Sequence, residues 1–372
     1  MIDSLVGNDY SLSLCSGLHS QGTNVKLIVP ENRIIEGNED LDINKWMPSK
    51  EKNNSKLFKL FKYFKYLFKI LFAVFVKRNV VLHYQFFRFR FEPVFMLLLR
   101  LLRVRIVLTA HNVLPHEKSK FDYSLMSFAY KSSNIIIVHS SFIKKKLLGS
   151  FNVPESKIKI IPHGNFDTYL PSKLPLKKDS RNMFNLSDED NVLLFFGYIR
   201  EYKGLDLLID ALSRIQSGVD RVPKLIIAGN PHTEDLKNKY LEKINELDLN
   251  SNVIFHHYFI PSEKIADYFT AADVVILPYK RIDHSGIIHL AYTFEKPVIA
   301  TRVGDFSEII KNGETGYLLD ENNAENLSQI IIEIFKDKDK LASMGKAAGQ
   351  INKTEYSWNS IAQLTIRGYK QI

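Results

Sequence analysis

Two strand–loop–helix passages carry the side chains best suited to hold a phosphate. The first is FFGYIREYKGLDLLIDAL at 195–212. An apolar run ends at Gly197, a short basic loop follows, and a helix is predicted from about Gly204. Gly197 has no side chain to block a ligand at the strand end. Arg200 and Lys203 set two cations beside a helix N-terminus, where free amides and the macrodipole already favour anions. A diphosphate is the natural guest. The second is VVILPYKRIDHSGIIHLAYTFEKPVIATRVGDFSEII at 274–310. Here Ser285 is placed to cap the next helix, and Gly286 leaves its amide open to a phosphate oxygen. Solvated loop cations and an ordinary helix cap would leave the same residues. Two such termini, one carrying Arg and Lys, favour the anion site.

These loops need a framework that brings strand ends together. Runs at 25–29, 80–84, 105–109, 135–138 and 158–161 are short, almost wholly apolar and rich in β-branched residues. The same pattern returns at 192–196, 224–228, 253–255, 274–277 and 297–300, with helical stretches at 204–216, 233–247, 262–270, 286–294 and 324–335. Alternation of this kind predicts parallel sheets covered on both faces. The expected fold is α/β, with two doubly wound Rossmann-like domains facing across a cleft, where ligands meet the carboxyl ends of the strands. Residues 1–170 form the N-terminal domain and 171–355 the C-terminal one. A helix in 356–372 packs back on the first domain. Pro171, Pro175 and a polar run up to 190 read as the connector. The opening MIDSLVGNDY offers only a weak strand at 2–6, so either the first strand is shortened or the encoded start falls inside it.

In those same residues the chain resembles glycosyltransferase family 4, the GT-B enzymes. The resemblance rests on G-x5-KG followed by LLIDAL, SG-x3-LA-x4-KPVIAT-x2-G-x3-E, and NGETGYLL. It is densest over 190–325 and thins before residue 80. It implies a C-terminal domain that binds a nucleotide-diphosphate sugar, with Arg200 and Lys203 on the diphosphate. The family's Arg usually follows the Gly directly, where this chain has Tyr198. Gly229 and Asn230 of GNP, and Tyr258 and Phe259 of HYF, match loops that line the nucleotide base. The family's Glu-x7-Glu falls on Ile282 and Leu290, so the chain looks like a subgroup with a Ser-Gly loop instead. Glu308 keeps the G-x3-E pattern. In the first domain, His111 of IVLTAHNVLPHE stands directly after a strand, where the family places a His near the donor sugar. His116 and Glu117 follow as acceptor-side candidates, and His163 of IPHGN matches a hinge element. The resemblance further implies retaining, metal-independent transfer with no cofactor beyond the donor. No DxD-like or HExxH-like ligand cluster is visible to contradict that.

Composition narrows the setting. The chain has 372 residues, 45% apolar and 24% charged, which excludes a disordered or fibrous protein. Its single cysteine, Cys15, fits a reducing compartment. No signal peptide and no uncharged apolar run of membrane-spanning length is apparent. Residues 1–170 carry 25 Lys and Arg against 13 Asp and Glu, whereas the remainder carries 25 against 28. The excess concentrates in KNNSKLFKLFKYFKYLFKILFAVFVKR at 52–78. On a helix, Leu57, Leu60, Phe61, Phe64, Leu67, Phe68, Leu71 and Phe75 share one face, and Lys56, Lys59, Lys62, Lys65 and Lys69 lie mostly opposite. That is the profile of an interfacial helix on anionic lipid. A domain helix burying its apolar face is the competing reading. Without a nucleic-acid-binding motif, the charge points to membrane rather than to nucleic acid. The leading expectation is a cytoplasmic, peripheral membrane glycosyltransferase that acts on a lipid-linked or glycan acceptor in polysaccharide or cell-envelope assembly. A soluble transferase on a small acceptor and a non-catalytic assembly partner are the alternatives.

Overall fold

The computed structural model describes every residue except 5–8, 36–39, 50–54, 78, 88–90, 115–121 and 217–220. The chain divides into two units, Met1–Gly164 with Tyr356–Ile372, and Asn165–Glu355. Both are α/β with parallel strands.

The first unit holds β1 (Lys26–Pro30), β2 (Asp42–Met47), β3 (Val81–Tyr84), β4 (Arg105–Thr109), β5 (Ile135–Val138) and β6 (Ile158–Ile160). β1 pairs with β2, and β3 to β6 pair in sequence order. Where the sequence offers a weak opening strand at 2–6, the structure shows isolated bridges at Ile2, and residues 5 and 6 lie outside the described residues. Ile2 bridges to Ile28 in β1 and to Tyr84 in β3, and its amide donates to the His83 carbonyl at 2.8 Å. Alternate residues along a strand face opposite layers. Ile106 and Leu108 of β4 pack with Tyr66, Met96 and Tyr130 from helices Lys56–Val76, Glu92–Leu101 and Asp122–Ser132. Val107, between them, packs with Leu14 and Ile361 from helices Asp9–Ser20 and Trp358–Tyr369. Gly17 lets the last two helices meet, since a Cβ there would lie 2.6 Å from the Trp358 carbonyl oxygen.

The helix Lys56–Val76 does not turn its Phe face inward. Tyr63, Tyr66 and Ile70 are the buried side chains. The Tyr66 hydroxyl donates to buried Glu92 Oε1 at 3.3 Å. The far side from the Phe arc is therefore held by tyrosine and isoleucine, and not by the lysines that the sequence pattern puts there. Leu57, Phe61, Phe64, Phe68, Phe72 and Phe75 are all exposed, Phe61 by 65% and Phe68 by 67%. Lys62 borders this arc, with its amine 3.0 Å from Glu31 Oε2 and 5.4 Å from the Phe58 ring centroid. Lys69 sits 5.5 Å from the Trp46 ring centroid. Phe91, Val94, Leu98 and Leu101, on or beside the helix Glu92–Leu101, add further exposed apolar side chains. Among the described residues no helix is long and apolar enough to cross a membrane.

The second unit holds β7 (Val192–Phe196), β8 (Lys224–Ala228), β9 (Val253–His256), β10 (Val274–Leu277), β11 (Val298–Thr301) and β12 (Gly316–Leu319), in the order β12-β11-β10-β7-β8-β9. The order reverses beside β7, a topological switch point where ligand sites form outside the strands' carboxyl ends. Residues 177–182, which composition reads as connector, instead form the helix Lys177–Asn182. Arg181 anchors it, 2% exposed, with Nη2 donating to both carboxylate oxygens of Asp273 at 3.0 and 2.9 Å and Nη1 to the Ser187 and Asp188 carbonyls.

Candidate functional site

In the second unit three strand ends converge. The Gly197 amide donates to the Ala228 carbonyl at 2.9 Å, the Gly229 amide to that of His256 at 2.9 Å, and the Ile199 amide to that of Asn230 at 3.0 Å. Gly197 has a φ of 98°, in the region where only glycine is at ease. A Cβ on Gly229 would lie 2.1 Å from the Gly197 carbonyl oxygen. The two backbones thus touch with no room for side chains, and the space beyond Gly197 stays open.

Into that space comes Lys203. It lies in a single 3₁₀ turn, Glu201–Lys203, between β7 and the helix Leu205–Gln216. Its side chain is 8% exposed, and a Cβ at Gly197 would stand 3.3 Å from its Nζ. Among the described residues no carboxylate reaches this amine within ion-pair distance. Its nearest ring is that of Tyr279, 5.4 Å away. Burial, helped by the neighbouring Arg200 charge, pushes its pKa down to about 8. A desolvated cation without a counter-charge is favoured by an anion beside it. Arg200, half-buried, precedes the same turn.

The passage around Ser285 and Gly286 lies beside Gly197. The helix Gly286–Thr293 follows Ser285, and its Ile287 Cδ1 would lie 3.3 Å from a Cβ on Gly197. Ser285 occupies the N-cap position, but its hydroxyl makes no capping hydrogen bond. Gly286 is also explained by packing, because a Cβ there would meet the Phe166 ring at 2.9 Å. Tyr258 and Phe259, both exposed, follow β9. The Tyr258 ring stacks on His256 at 5.5 Å, and His256 Nδ1 is 2.6 Å from the Tyr268 hydroxyl. That leaves flat aromatic surface at the end of β9. Asn230 is exposed and Gly229 buried at the end of β8. Glu308 is exposed in the short helix Phe306–Ile309.

In the first unit, His111 is gripped on both ring nitrogens. Its Nε2 is 2.9 Å from Gln85 Oε1, and its Nδ1 is 3.0 Å from His139 Nε2. His139 Nδ1 faces the Ile161 carbonyl at 3.0 Å, so that nitrogen carries the proton. His139 Nε2 and His111 Nδ1 share the hydrogen bond between the two rings. Phe86 stacks on the His111 ring at 4.3 Å, and Tyr10 meets it edge-on at 4.7 Å. Gln85 also reaches His83 Nε2 at 3.1 Å. Burial pushes the His83 pKa down to about 3, so it stays neutral. Sequence motifs missed Gln85 and His139. The available signal was position: like His111, each stands just past an apolar β-branched run. His163 Nδ1 turns instead to the Gly164 carbonyl at 2.6 Å. His116 and Glu117 lie outside the described residues, as does the side chain of Lys59.

Comparisons with known proteins agree with this architecture. A glycosyltransferase of Methanocaldococcus jannaschii with no assigned reaction is 29% identical over 65% of this chain and 60% of its own. The D-inositol 3-phosphate glycosyltransferase of an Arthrobacter species is 27% identical over 60% and 52%. The chain thus spans a little over half the length of these relatives. Among solved structures, HepE of Anabaena in complex with UDP superposes with a TM-score of 0.76 at 18% identity, over 100% of this chain and 99% of that one. WaaG, a glycosyltransferase involved in lipopolysaccharide biosynthesis, gives 0.68 at 15%, over 100% and 99%. Both likenesses establish the fold. Residues 8–165 match the family described as Glycosyltransferase Family 4 and residues 177–350 the one described as Glycosyl transferases group 1, so both units match glycosyltransferase family models and the chain has the GT-B fold.

Proposed function

We propose that the chain moves a sugar from a nucleotide-diphosphate sugar to a lipid-linked or glycan acceptor, working peripherally on the cytoplasmic face of an anionic membrane in polysaccharide or cell-envelope assembly. The observation that carries the donor half is Lys203, a buried amine without a carboxylate partner among the described residues, beside the open side of Gly197. Arg200 and the first amides of the helix Gly286–Thr293 complete a positive wall for the diphosphate. Fixed cations and dipoles of this kind stabilise charge as it develops on a leaving diphosphate, which is electrostatic catalysis. Tyr258 and Phe259 offer faces for the base. His111, oriented by Gln85 and His139, is the group we assign to the transferred sugar. Nucleotide-sugar relatives fit this donor class. HepE has been solved with UDP-glucose, and a Mycobacterium tuberculosis relative is named as a GDP-mannose-dependent phosphatidylinositol monomannoside mannosyltransferase.

The membrane half is supported by the exposed arc Leu57–Phe61–Phe64–Phe68–Phe72–Phe75 with lysines beside it. Apolar side chains enter the interface while each Lys gains about 1 kcal/mol from anionic headgroups. A thermal-shift screen against UDP, GDP, ADP and dTDP tests the donor site. A nucleotide at about 100 times its Kd stabilises by about 2.7 kcal/mol. If none of the four raises the Tm, the donor reading is wrong. Flotation with vesicles of phosphatidylglycerol tests the surface separately.

A further inference from the structure

The sheet of the second unit has a second opening, at its other edge. A cavity of about 340 Å³ lies where Asn191, Asp273 and Pro297 lead into β7, β10 and β11. The strands are parallel, so residues that precede them stand a strand's length, about 15 Å, from those that follow, where Gly197 and Lys203 sit. The helix Lys338–Thr354 forms the outer wall with Lys338, Leu341 and Lys346, and Phe294 and Phe335 add apolar surface.

The charges of this wall do not balance locally. Asp273 is occupied by Arg181 and by Lys177 at 2.6 Å. Glu295 pairs with Lys353 at 2.7 Å, and Asp190 faces Arg221 at 3.6 Å. Of the four wall carboxylates, Asp188 alone lacks a cation among the described residues. Against it stand three amines, Lys296, Lys338 and Lys346, with no carboxylate in ion-pair range among the described residues. Lys338 and Lys346 are exposed at the rim, whereas Lys296 lies deeper. Burial and the nearby Lys177 charge push its pKa down to about 8.

We propose that this cavity is a second anion site, distinct from the donor site, which takes a small phosphate-bearing compound. Three lysines outside any ion pair among the described residues line one cavity, where a phosphate could take their ammonium groups, and the apolar wall and volume leave room for a sugar-sized body beyond it. The KPVIAT stretch thereby has a role for its lysine, while Val298–Thr301 is the strand itself.

Site-resolved lysine acylation of the full chain tests this. The protein is treated briefly with acetic anhydride at pH 7.5, and each lysine's labelling is read by peptide mass spectrometry. The runs contain inorganic phosphate, glucose 6-phosphate, or sodium chloride at matched ionic strength. Lys296 and Lys346 should label at least fivefold more slowly with a phosphate compound than with chloride. Equal protection by both compounds assigns free phosphate, and stronger protection by glucose 6-phosphate assigns a phosphomonoester. Protection no greater than in chloride, or confined to Lys203, overturns the site. In Lys296→Gln the protection read at Lys346 should vanish, with its melting curve confirming the fold. Protection that persists there also overturns the proposal.

Discussion

Replacing Lys203 with Met should make the free protein more stable and less able to hold a diphosphate. The native pKa of about 8 lies below the ordinary 10.5, so the folded state disfavours the charged amine. At about 1.4 kcal/mol per pH unit the penalty at neutral pH is about 3 kcal/mol. Met removes that penalty but loses the ring contact with Tyr279, worth about 1 kcal/mol. The net gain is about 2 kcal/mol, or several degrees in Tm. The pH dependence has a definite sign. Between pH 8 and 10.5 the unfolded chain binds a proton that the native Lys203 has released, so wild-type stability should rise with pH across that window. Lys203→Met should lack this rise. A bound diphosphate restores the charge, so binding at pH 8–9 should take up a proton and weaken as pH increases. Calorimetry of UDP binding in two buffers of different ionisation enthalpy reads the uptake, and thermal melts read the stability. A Met variant that is less stable than wild type and binds UDP equally well would refute both the buried-charge argument and the diphosphate assignment.

Other perturbations bear on separate parts of the molecule. Arg33 Nη1 and Asp3 Oδ2 form an ion pair at 2.8 Å, both side chains buried, so Arg33→Met should cost about 3–5 kcal/mol in urea melts. Gly204 has a φ of 69°, and a Cβ there would sit 1.9 Å from the Pro278 carbonyl oxygen. Gly204→Ala should therefore cost at least ~2 kcal/mol and lower UDP affinity by shifting the adjacent Lys203. His111→Ala should reduce kcat while leaving the donor Kd near wild type, and Gln85→Leu should do the same more mildly, as expected for interactions made in the transition state. An unchanged kcat in both would make the His111 cluster structural. Lys65→Glu with Lys69→Glu should abolish flotation with anionic vesicles at low salt while circular dichroism stays unchanged.

The parallel strands were legible because strands buried on both faces read as unbroken apolar runs. β4, β5, β7, β8 and β10 fall where such runs lie. β2 escaped notice because DINKWM is a half-exposed edge strand with polar residues, and β12 because GYLL is short. Gln85 and His139 could not be found by motif, since only the pairing of β3, β4 and β5 brings them to His111. The helix Lys56–Val76 is the instructive case. Its apolar period was readable, but the inward side was not. Hydrophobicity alone ranks Phe above Tyr for the interior. The core instead supplies Glu92 for the Tyr66 hydroxyl, so tyrosine goes in. All six of the helix's phenylalanines, Phe58, Phe61, Phe64, Phe68, Phe72 and Phe75, are left outside. Fully burying such a side chain yields about 1.5–3 kcal/mol, and this helix forgoes much of that at each one. Contiguous exposed apolar surface of this kind is the mark of an interaction site. With lysines along its border, the partner we propose is an anionic lipid surface, whose apolar interior and charged headgroups would match both features.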